Sequence, residues 1–258
     1  MKKLLLCTAS TAALLLTAPA LADNSTSTVN QSNTGNAATV DQTGSIDGGS
    51  SLIDQTGANN DADVTQADDG SGATPINVSA INQSGDDNQA TVDQNASTIT
   101  FQTNPAIKQS DNSNIADVTQ IDDAQSSTIT QSSNDNSATV TQGDATLALS
   151  DQSWSNASTI NQAGGGSHIA EVEQLAFNNT STIDQTGADD NAFVLQTGDD
   201  NLSTILQSAN ISTADVEQSG DDNTSIIDQS GNDQYAEVTQ SGSDNDSSVI
   251  QTGFSNEA

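Results

Sequence analysis

Basic and aromatic residues are scarce in this chain. Lys and Arg together number 3 against 35 Asp and Glu, and aromatic residues make up 2% of the 258 residues. This balance excludes nucleic-acid binding, because phosphate recognition requires basic patches. Few apolar groups with a high net charge usually indicate disorder, but only where the apolar residues are scattered. Here they are not scattered, because they recur at fixed intervals.

Cysteine is limited to Cys7, within the opening stretch MKKLLLCTASTAALLLTAPALA. Two lysines, an apolar middle and the small-residue end Ala20-Leu21-Ala22 are typical of a secretory signal peptide, residues 1–22, cleaved before Asp23. A membrane anchor is the alternative, but the apolar part is short. After cleavage the chain has no cysteine, and we expect it to be secreted without disulfides. One lysine then faces 35 acids, for a formal charge of about −34.

Glutamine recurs through the rest of the chain. Gln residues with Ile or Val two places before them, together with the irregular Gln152, give twenty positions from Gln31 to Gln251. Thirteen of the nineteen spacings are eleven residues, including an unbroken run from Gln174 to Gln251. Residues 23–258 are therefore predicted to be a single repeat domain.

Each repeat has a period of two. Counting back from Gln, Ile or Val stands at −2, Ser or Ala at −4 and often Asn at −6, while the residues between are polar. Such alternation predicts a strand of seven residues with one buried face. The other four residues, such as SGDD at 219–222, predict a turn in which Gly adopts a positive φ. The turn glycines of this prediction are Gly85, Gly187, Gly198, Gly220, Gly231 and Gly242.

The strands alternate between an S-T-I type and an A-x-V type, so the chemical repeat is 22 residues. Two strands and two turns close one coil, and repeats of this length must stack to bury a face. The predicted fold class is all-β: a β-solenoid of the cross-β type, with stacked two-strand coils, a 22-residue period and about ten coils about 4.8 Å apart. A disordered polar chain would show the same composition without the period of two.

Stacking places identical amides above one another. An amide carries both donors and an acceptor, so a column of amides can hydrogen-bond to itself along the axis. The residues predicted to carry stacking and assembly are Gln83, Gln94, Gln174, Gln185, Gln196, Gln207, Gln218, Gln229, Gln240, Gln251, Asn179, Asn201, Asn223 and Asn245. His168 stands at −6 before Gln174 and is expected to replace Asn in its column.

Three segments depart from the repeat: residues near 67–82, 95–109 and 143–162. The second contains Pro105 at a −4 position, where a central strand should not hold a residue without an N–H. Bulges or a shifted coil are the expected explanation, and a hinge or processing site is the alternative.

The motif Q-x-G-x-x-N-x-A-x-V-x-Q resembles the curlin repeat of bacterial curli fibre subunits. One complete copy is Gln83, Gly85, Asn88, Ala90, Val92 and Gln94. The resemblance covers roughly residues 25–256 and implies a subunit that passes through the periplasm and polymerises outside the cell or at its surface. It further implies a functional amyloid fibre, a homopolymer of the biofilm matrix used in adhesion, with an outer-membrane export pore and a nucleator subunit as partners. A monomeric acidic β-solenoid adhesin that does not polymerise is the alternative.

The negative charge is expected to control assembly. Ten coils about 4.8 Å apart make a column of about 48 Å, so about 34 charges approach the linear charge density of duplex DNA. Neighbouring coils are closer than the screening length of about 8 Å. Diffuse cations or acid are therefore expected to favour stacking.

Other function classes are weaker. Ordered calcium sites are disfavoured because the repeat lacks the Gly/Asp nonapeptide and a shell of six or more oxygens. Outward threonines such as Thr128 and Thr130 would suit an ice-binding solenoid, but aligned positions elsewhere are acidic. An enzyme is not expected, because the paired acids lack a nucleophilic Cys, a second His or a basic clamp. We expect no cofactor and no metal.

Overall fold

The computed structural model describes residues 7–9, 25–44, 48–68, 77–96, 104–121, 124–143 and 155–258. These ranges contain β-strands and turns but no helix, so none of their segments is a candidate membrane-spanning helix. The predicted signal peptide, apart from residues 7–9, lies outside them, as do 69–76, 97–103 and 144–154 of the three irregular segments, with Pro75, Gln152 and Trp154.

The strands form two parallel sheets that alternate along the chain. Sheet A contains β1 (Cys7–Ala9), β2 (Thr26–Gln31), β4 (Ser50–Gln55), β6 (Val78–Gln83), β8 (Asn104–Gln109), β10 (Ser126–Gln131), β12 (Ala157–Gln162), β14 (Thr180–Gln185), β16 (Leu202–Gln207), β18 (Thr224–Gln229) and β20 (Asp246–Gln251). Sheet B contains β3 (Ala37–Gly44), β5 (Asp61–Asp68), β7 (Gln89–Ala96), β9 (Ile115–Ile121), β11 (Ser137–Gln142), β13 (Ile169–Gln174), β15 (Asn191–Gln196), β17 (Thr213–Gln218) and β19 (Tyr235–Gln240).

Each strand pairs with the strands before and after it in its own sheet, in register except for a shift between Asp41 and Gly44 where β3 pairs with β5. Ile183 of β14 lies beside Ile205 of β16, and Gln185 lies beside Gln207. The chain therefore winds as two-strand coils, nine of them from β2 to β19 in the described residues, and β20 opens a tenth. The prediction of an all-β stacked solenoid is confirmed.

The core lies between the two sheets and consists of small side chains in columns. Sheet A contributes Ile or Val at −2 and, on all strands but β8, Ser at −4, while sheet B contributes Val at −2 and Ala at −4. Nearly all of these aliphatic side chains are below 10% exposed. A β-branched residue packs well on a pleated surface, and a small residue beside it lets the two sheets approach closely. One aliphatic side chain per strand is enough because every coil repeats the same contact.

The turns use a different residue for positive φ than the sequence predicts. None of the six turn glycines adopts it. The left-handed residue is instead two places further on, and it is Asp at Asp87, Asp189, Asp200, Asp222, Asp233 and Asp244. Asp and Asn tolerate this conformation because their short side chains bond locally. The predicted role of the glycines in φ is therefore wrong.

The glycines are needed for clearance between coils. A Cβ built on Gly220 would overlap the carbonyl oxygen of Gly242 in the next coil, and a Cβ on Gly187 would overlap that of Ala209. A Cβ at either of these two glycines would therefore require the neighbouring turn to shift, although the same position is alanine at Ala176 and Ala209.

Pro105 occupies a central strand. β8 pairs with β10 along its whole length, but its pairing with β6 begins only at Ala106. In a parallel ladder successive residues bond to opposite neighbours, so the N–H that proline lacks is one that would have reached β6. Pro105 therefore removes a backbone hydrogen bond only on the β6 side of β8.

Gly220→Ala and Gly242→Ala provide a matched test of this clearance. Gly220 lies beneath a further coil, whereas a Cβ on Gly242 would meet only the Asn245 side chain at 3.1 Å. We expect Gly220→Ala to lower the free energy of unfolding by about 1–3 kcal/mol, since overpacking forces the backbone to shift. Gly242→Ala should cost much less. Denaturant unfolding of both proteins followed by circular dichroism gives the comparison, and equal losses would contradict the clearance argument.

Candidate functional site

The glutamines of sheet A form one continuous ladder. Each side-chain Nε2 donates to Oε1 of the next Gln along the axis at 2.7–3.0 Å, as from Gln185 to Gln207 and from Gln207 to Gln229. The bonds all point towards the C-terminal end. The members are Gln31, Gln55, Gln83, Gln109, Gln131, Gln162, Gln185, Gln207, Gln229 and Gln251.

Sheet B carries a second ladder with the same direction. It links Gln42, Gln66 and Gln94, and then Gln120, Gln142, Gln174, Gln196, Gln218 and Gln240. Between these two runs, the buried Oε1 of Gln120 has no hydrogen-bond partner. The ladder of sheet B is therefore interrupted above Gln94.

The same glutamines also tie the two sheets together. Gln185 Nε2 donates to the Ile169 carbonyl of sheet B, and Gln196 Nε2 donates to the Thr180 carbonyl of sheet A. Equivalent bonds recur in most coils. Such an amide donates one N–H along the axis and the other across the coil. An amide buried without these partners would destabilise the fold by about 1–3 kcal/mol.

The asparagine column works by another bond. Asn179 Oδ1 accepts the backbone N–H of Asn201, and Asn201 Oδ1 accepts that of Asn223. Side-chain to side-chain bonds occur here as well, but only at the C-terminal end of the described column, from Asn223 to Asn201 and from Asn245 to Asn223. At these asparagines the side chain serves mainly as an acceptor aimed along the axis.

His168 and Asp190 are consecutive members of the equivalent column in sheet B, and both side chains are fully buried. His168 Nε2 lies 2.9 Å from the Ala163 carbonyl, so it carries the proton, and Nδ1 is left as the acceptor for the Asp190 backbone N–H at 3.4 Å. Asp190 Oδ1 accepts the Ser212 N–H, whereas Oδ2 has no hydrogen-bond partner and lies 3.6 Å from His168 Nδ1.

Burial disfavours charge on both groups. It raises the pKa of Asp190 to about 6, helped by the neighbouring Asp189 carboxylate, and it lowers the pKa of His168. The uncharged pair is therefore the form that fits the buried column. The sequence predicts the position of His168 in the stack but not its contact with Asp190, although the two stand 22 residues apart.

The outer carboxylates lie on sheet faces and turns. Burial and the neighbouring Asp93 raise the pKa of Asp117, while burial with Glu237 and Glu217 raises that of Asp215. Among the described residues no group of three His, Cys, Asp or Glu side chains is arranged to hold a metal ion.

The fold and its interior define a class of structural repeat protein: a parallel β-solenoid with amide ladders. Residues 177–208, 187–220, 212–242 and 220–253 match the family of the curlin associated repeat. This confirms the predicted resemblance over residues 177–253, which carry repeats of the curlin type. No curated protein and no solved structure matches the chain.

Asp190→Asn tests the titration of the buried pair. The carboxyl ionises near pH 3.8 in the unfolded chain and near pH 6 in the fold, so unfolding releases a proton between these values. Stability contributed by this group therefore falls as pH rises from about 4 to about 6 and stays low above that. We expect Asp190→Asn to unfold at higher denaturant concentration than the wild type at pH 7.5, with the gap closing at pH 4.

The outer acids titrate in both proteins, so the difference between them isolates Asp190. Asp189→Asn, which changes the exposed neighbour, serves as the control and should leave most of the pH dependence in place. A gap between Asp190→Asn and the wild type that is the same at both pH values would contradict the assignment.

Proposed function

We propose that this chain is a secreted structural subunit that stacks end to end into curli-like amyloid fibres for adhesion and the biofilm matrix. The observation that carries the proposal is the unfilled bonding at the two ends of the sheet A ladder. The proposal extends the curlin-repeat match of residues 177–253 from family to assembly.

The two ends of the ladder are complementary. At the N-terminal end, the buried Oε1 of Gln31 has no hydrogen-bond partner. At the C-terminal end, Gln251 Nε2 donates to the Tyr235 carbonyl, and no further coil of the described chain receives its other N–H. A second copy placed with its β2 on β20 would join these groups and continue the ladder.

The strands at the two ends also match in register. Such a junction places Val249 beside Val29 of the next copy, Ser247 beside Ser27, and Gln251 beside Gln31. These are the same residue classes that pair inside the column, as in Val29 with Ile53 and Gln31 with Gln55. A head-to-tail contact of this kind does not close on itself and so produces a filament.

Removal of the leader would open the N-terminal edge. Residues Cys7–Ala9 form β1 and pair with Val29–Gln31, the edge that a preceding copy would use. Cleavage before Asp23, as the sequence predicts, would take β1 away. Processing for export and the opening of the edge would then be a single event. The partners that the family implies are the outer-membrane pore and a nucleator subunit.

One observation favours the alternative, a monomeric adhesin. Asn256 and Ala258 hydrogen-bond to Tyr235 and Glu237 and so cover the first half of β19. The other half borders an open groove of about 540 Å³ between the ends of β19 and β20, lined by Gln240, Asn245 and Val249 among others. The described residues therefore cover the C-terminal end only in part.

Ser27→Pro tests the proposed junction. Ser27 occupies the same column as Pro105, which β8 accommodates inside the stack. Its N–H points away from β4 by the alternation of a parallel ladder, so proline should leave the fold intact while removing a junction bond. We expect wild-type protein to polymerise after a lag that seeds shorten, with a fibre reflection near 4.7 Å. Ser27→Pro should stay folded and extend wild-type seeds at least about tenfold more slowly, one junction bond being lost.

Thr28→Ala, at the neighbouring outward position of β2, is the matched control and should extend seeds normally. A soluble, β-rich wild-type protein that ignores seeds would replace the fibre by the adhesin. Normal extension by Ser27→Pro would show that growth does not use the β2 edge.

Acid and divalent cations should hasten polymerisation. The raised pKa of Asp117 and Asp215 means that stacking favours their protonated form, so lowering the pH removes repulsion between coils. We expect the lag at pH 8 to shorten at pH 4 and to shorten with millimolar Ca²⁺, because diffuse counterions neutralise closely spaced acids. Lag times that do not change under either condition would contradict this role for the charge.

A further inference from the structure

The two outer faces of the solenoid differ in charge. On strands β2–β20, the outward positions of sheet A carry four acids, Asp54, Asp184, Asp228 and Asp246, and one base, Lys108. The outward positions of sheet B carry no base among the described strands and ten acids: Asp41, Asp61, Asp63, Asp93, Asp117, Glu171, Glu173, Asp215, Glu217 and Glu237. Two copies cannot approach through sheet B without strong repulsion, whereas sheet A presents little.

The outer face of sheet A is also partly apolar. Between Asp54 and Asp184 no outward side chain of its described strands is acidic, and alanine and threonine predominate. Larger aliphatic side chains lie towards both ends, with Leu52, Leu202 and Ile226 each more than 40% exposed. Exposed aliphatic groups gathered on one face of a sheet, rather than scattered, indicate a contact surface.

This face is large enough for a stable contact. Six residues per strand span about 20 Å and ten strands about 48 Å, which is about 950 Å². A standard protein interface buries about 800 Å² on each partner. The face therefore suffices for a specific pair without help from the turns.

We propose that the outer face of sheet A is the docking surface for a second copy of this chain, packed face to face with its axis reversed. The two copies are related by a two-fold axis parallel to the strands, midway between β10 and β12. This axis brings β8 against β14, β6 against β16 and β4 against β18 of the other copy, and each column faces itself. Such an isologous contact makes every pair occur twice.

The residues that meet in this register are complementary. Lys108 of β8 faces Asp184 of β14, so the lone base of the described strands meets an acid. Val78 faces Leu202, and Leu52 faces Ile226, which joins exposed aliphatic groups from opposite ends of the face. Asp54 against Asp228 is the one acidic pair, and it lies in the same edge column as Lys108 and Asp184, nearer the ends of the face. The middle is filled by small residues such as Thr128 and Thr159, which permit close approach of the two sheets.

The contact does not depend on end-to-end stacking. A single solenoid would pair with a second one as a dimer, and a fibre would consist of two antiparallel filaments. The failure of one proposal is therefore distinguishable from the failure of the other. Dimers that never form filaments would overturn only the fibre, and filaments of single width would overturn only the paired face.

Reversal of the Lys108 and Asp184 charges provides the test. The purified protein and the variants Lys108→Asp, Asp184→Lys and Lys108→Asp/Asp184→Lys are compared at about 0.15 M salt, where the screening length is about 8 Å. Sedimentation gives the dimer Kd before polymerisation, and electron microscopy gives the mass per length of fibres. We expect each single variant to raise the dimer Kd at least about tenfold, two like-charge contacts replacing two ion pairs. The double variant should return to within about threefold of wild type, because the pairs are restored with reversed sign.

Asp93→Lys makes the same change of charge as Asp184→Lys, but on the outer face of sheet B, and is its matched control. It should leave the dimer Kd and the fibre width unchanged. Circular dichroism confirms that every variant keeps the strand content of the wild type. A wild-type protein that stays monomeric and forms only single-width filaments, a double variant as weak as either single, or an equal loss with Asp93→Lys would each overturn the proposal.

Discussion

The structure depends on the hydrogen bond between the side-chain amides of successive glutamines. A primary amide has one acceptor and two donor hydrogens, and the solenoid uses one donor along the axis and one across the coil, as Gln185 does with Gln207 and Ile169. This arrangement converts a polar side chain into a core residue, provided that an identical residue lies one coil above and one coil below. Each coil is therefore stabilised by its bonds to the neighbouring coils as well as by its own contacts. The last glutamine of any finite stack lacks one of these bonds.

The difference between the two polar columns follows from what each must supply. Every strand from β2 to β20 ends its buried pattern with Gln, because that position must donate and accept. The −6 column mainly supplies an acceptor for the next backbone N–H, and it tolerates other residues. In sheet B, Asn136, His168 and Asp190 each accept that N–H, whereas Ser212, the next member, donates to the Gly231 carbonyl. The cost of this tolerance is a buried titrating pair, whose fit to the column depends on pH.

Two spacings in the sequence predicted most of the fold. A step of two selected the buried face, and a step of 22 set the strand register, so the alternating Ile and Val core and the glutamine columns follow from the residues alone. The same step of 22 placed His168 against Asp190 and all the acids of one face together, but these consequences require counting along columns rather than along the chain. The turns could not be derived in this way. Whether Gly220 or Asp222 takes the left-handed conformation depends on clearance from the next coil, which is a property of the stack and not of the tetrapeptide.

The direction of the ladder and the distribution of charge act on different axes of assembly. Because every amide bond of sheet A points the same way, the two ends of the column are unlike, and axial association is head to tail and open. The lateral faces obey another rule: a face can pair with its own copy only where like charges are few. In the proposed pair, the two less acidic faces, those of sheet A, are buried against each other and both strongly acidic faces of sheet B point outward. A third solenoid would then meet the acidic outer face of sheet B and be repelled. Lateral growth therefore stops at two solenoids while axial growth continues, until protons or cations reduce the repulsion.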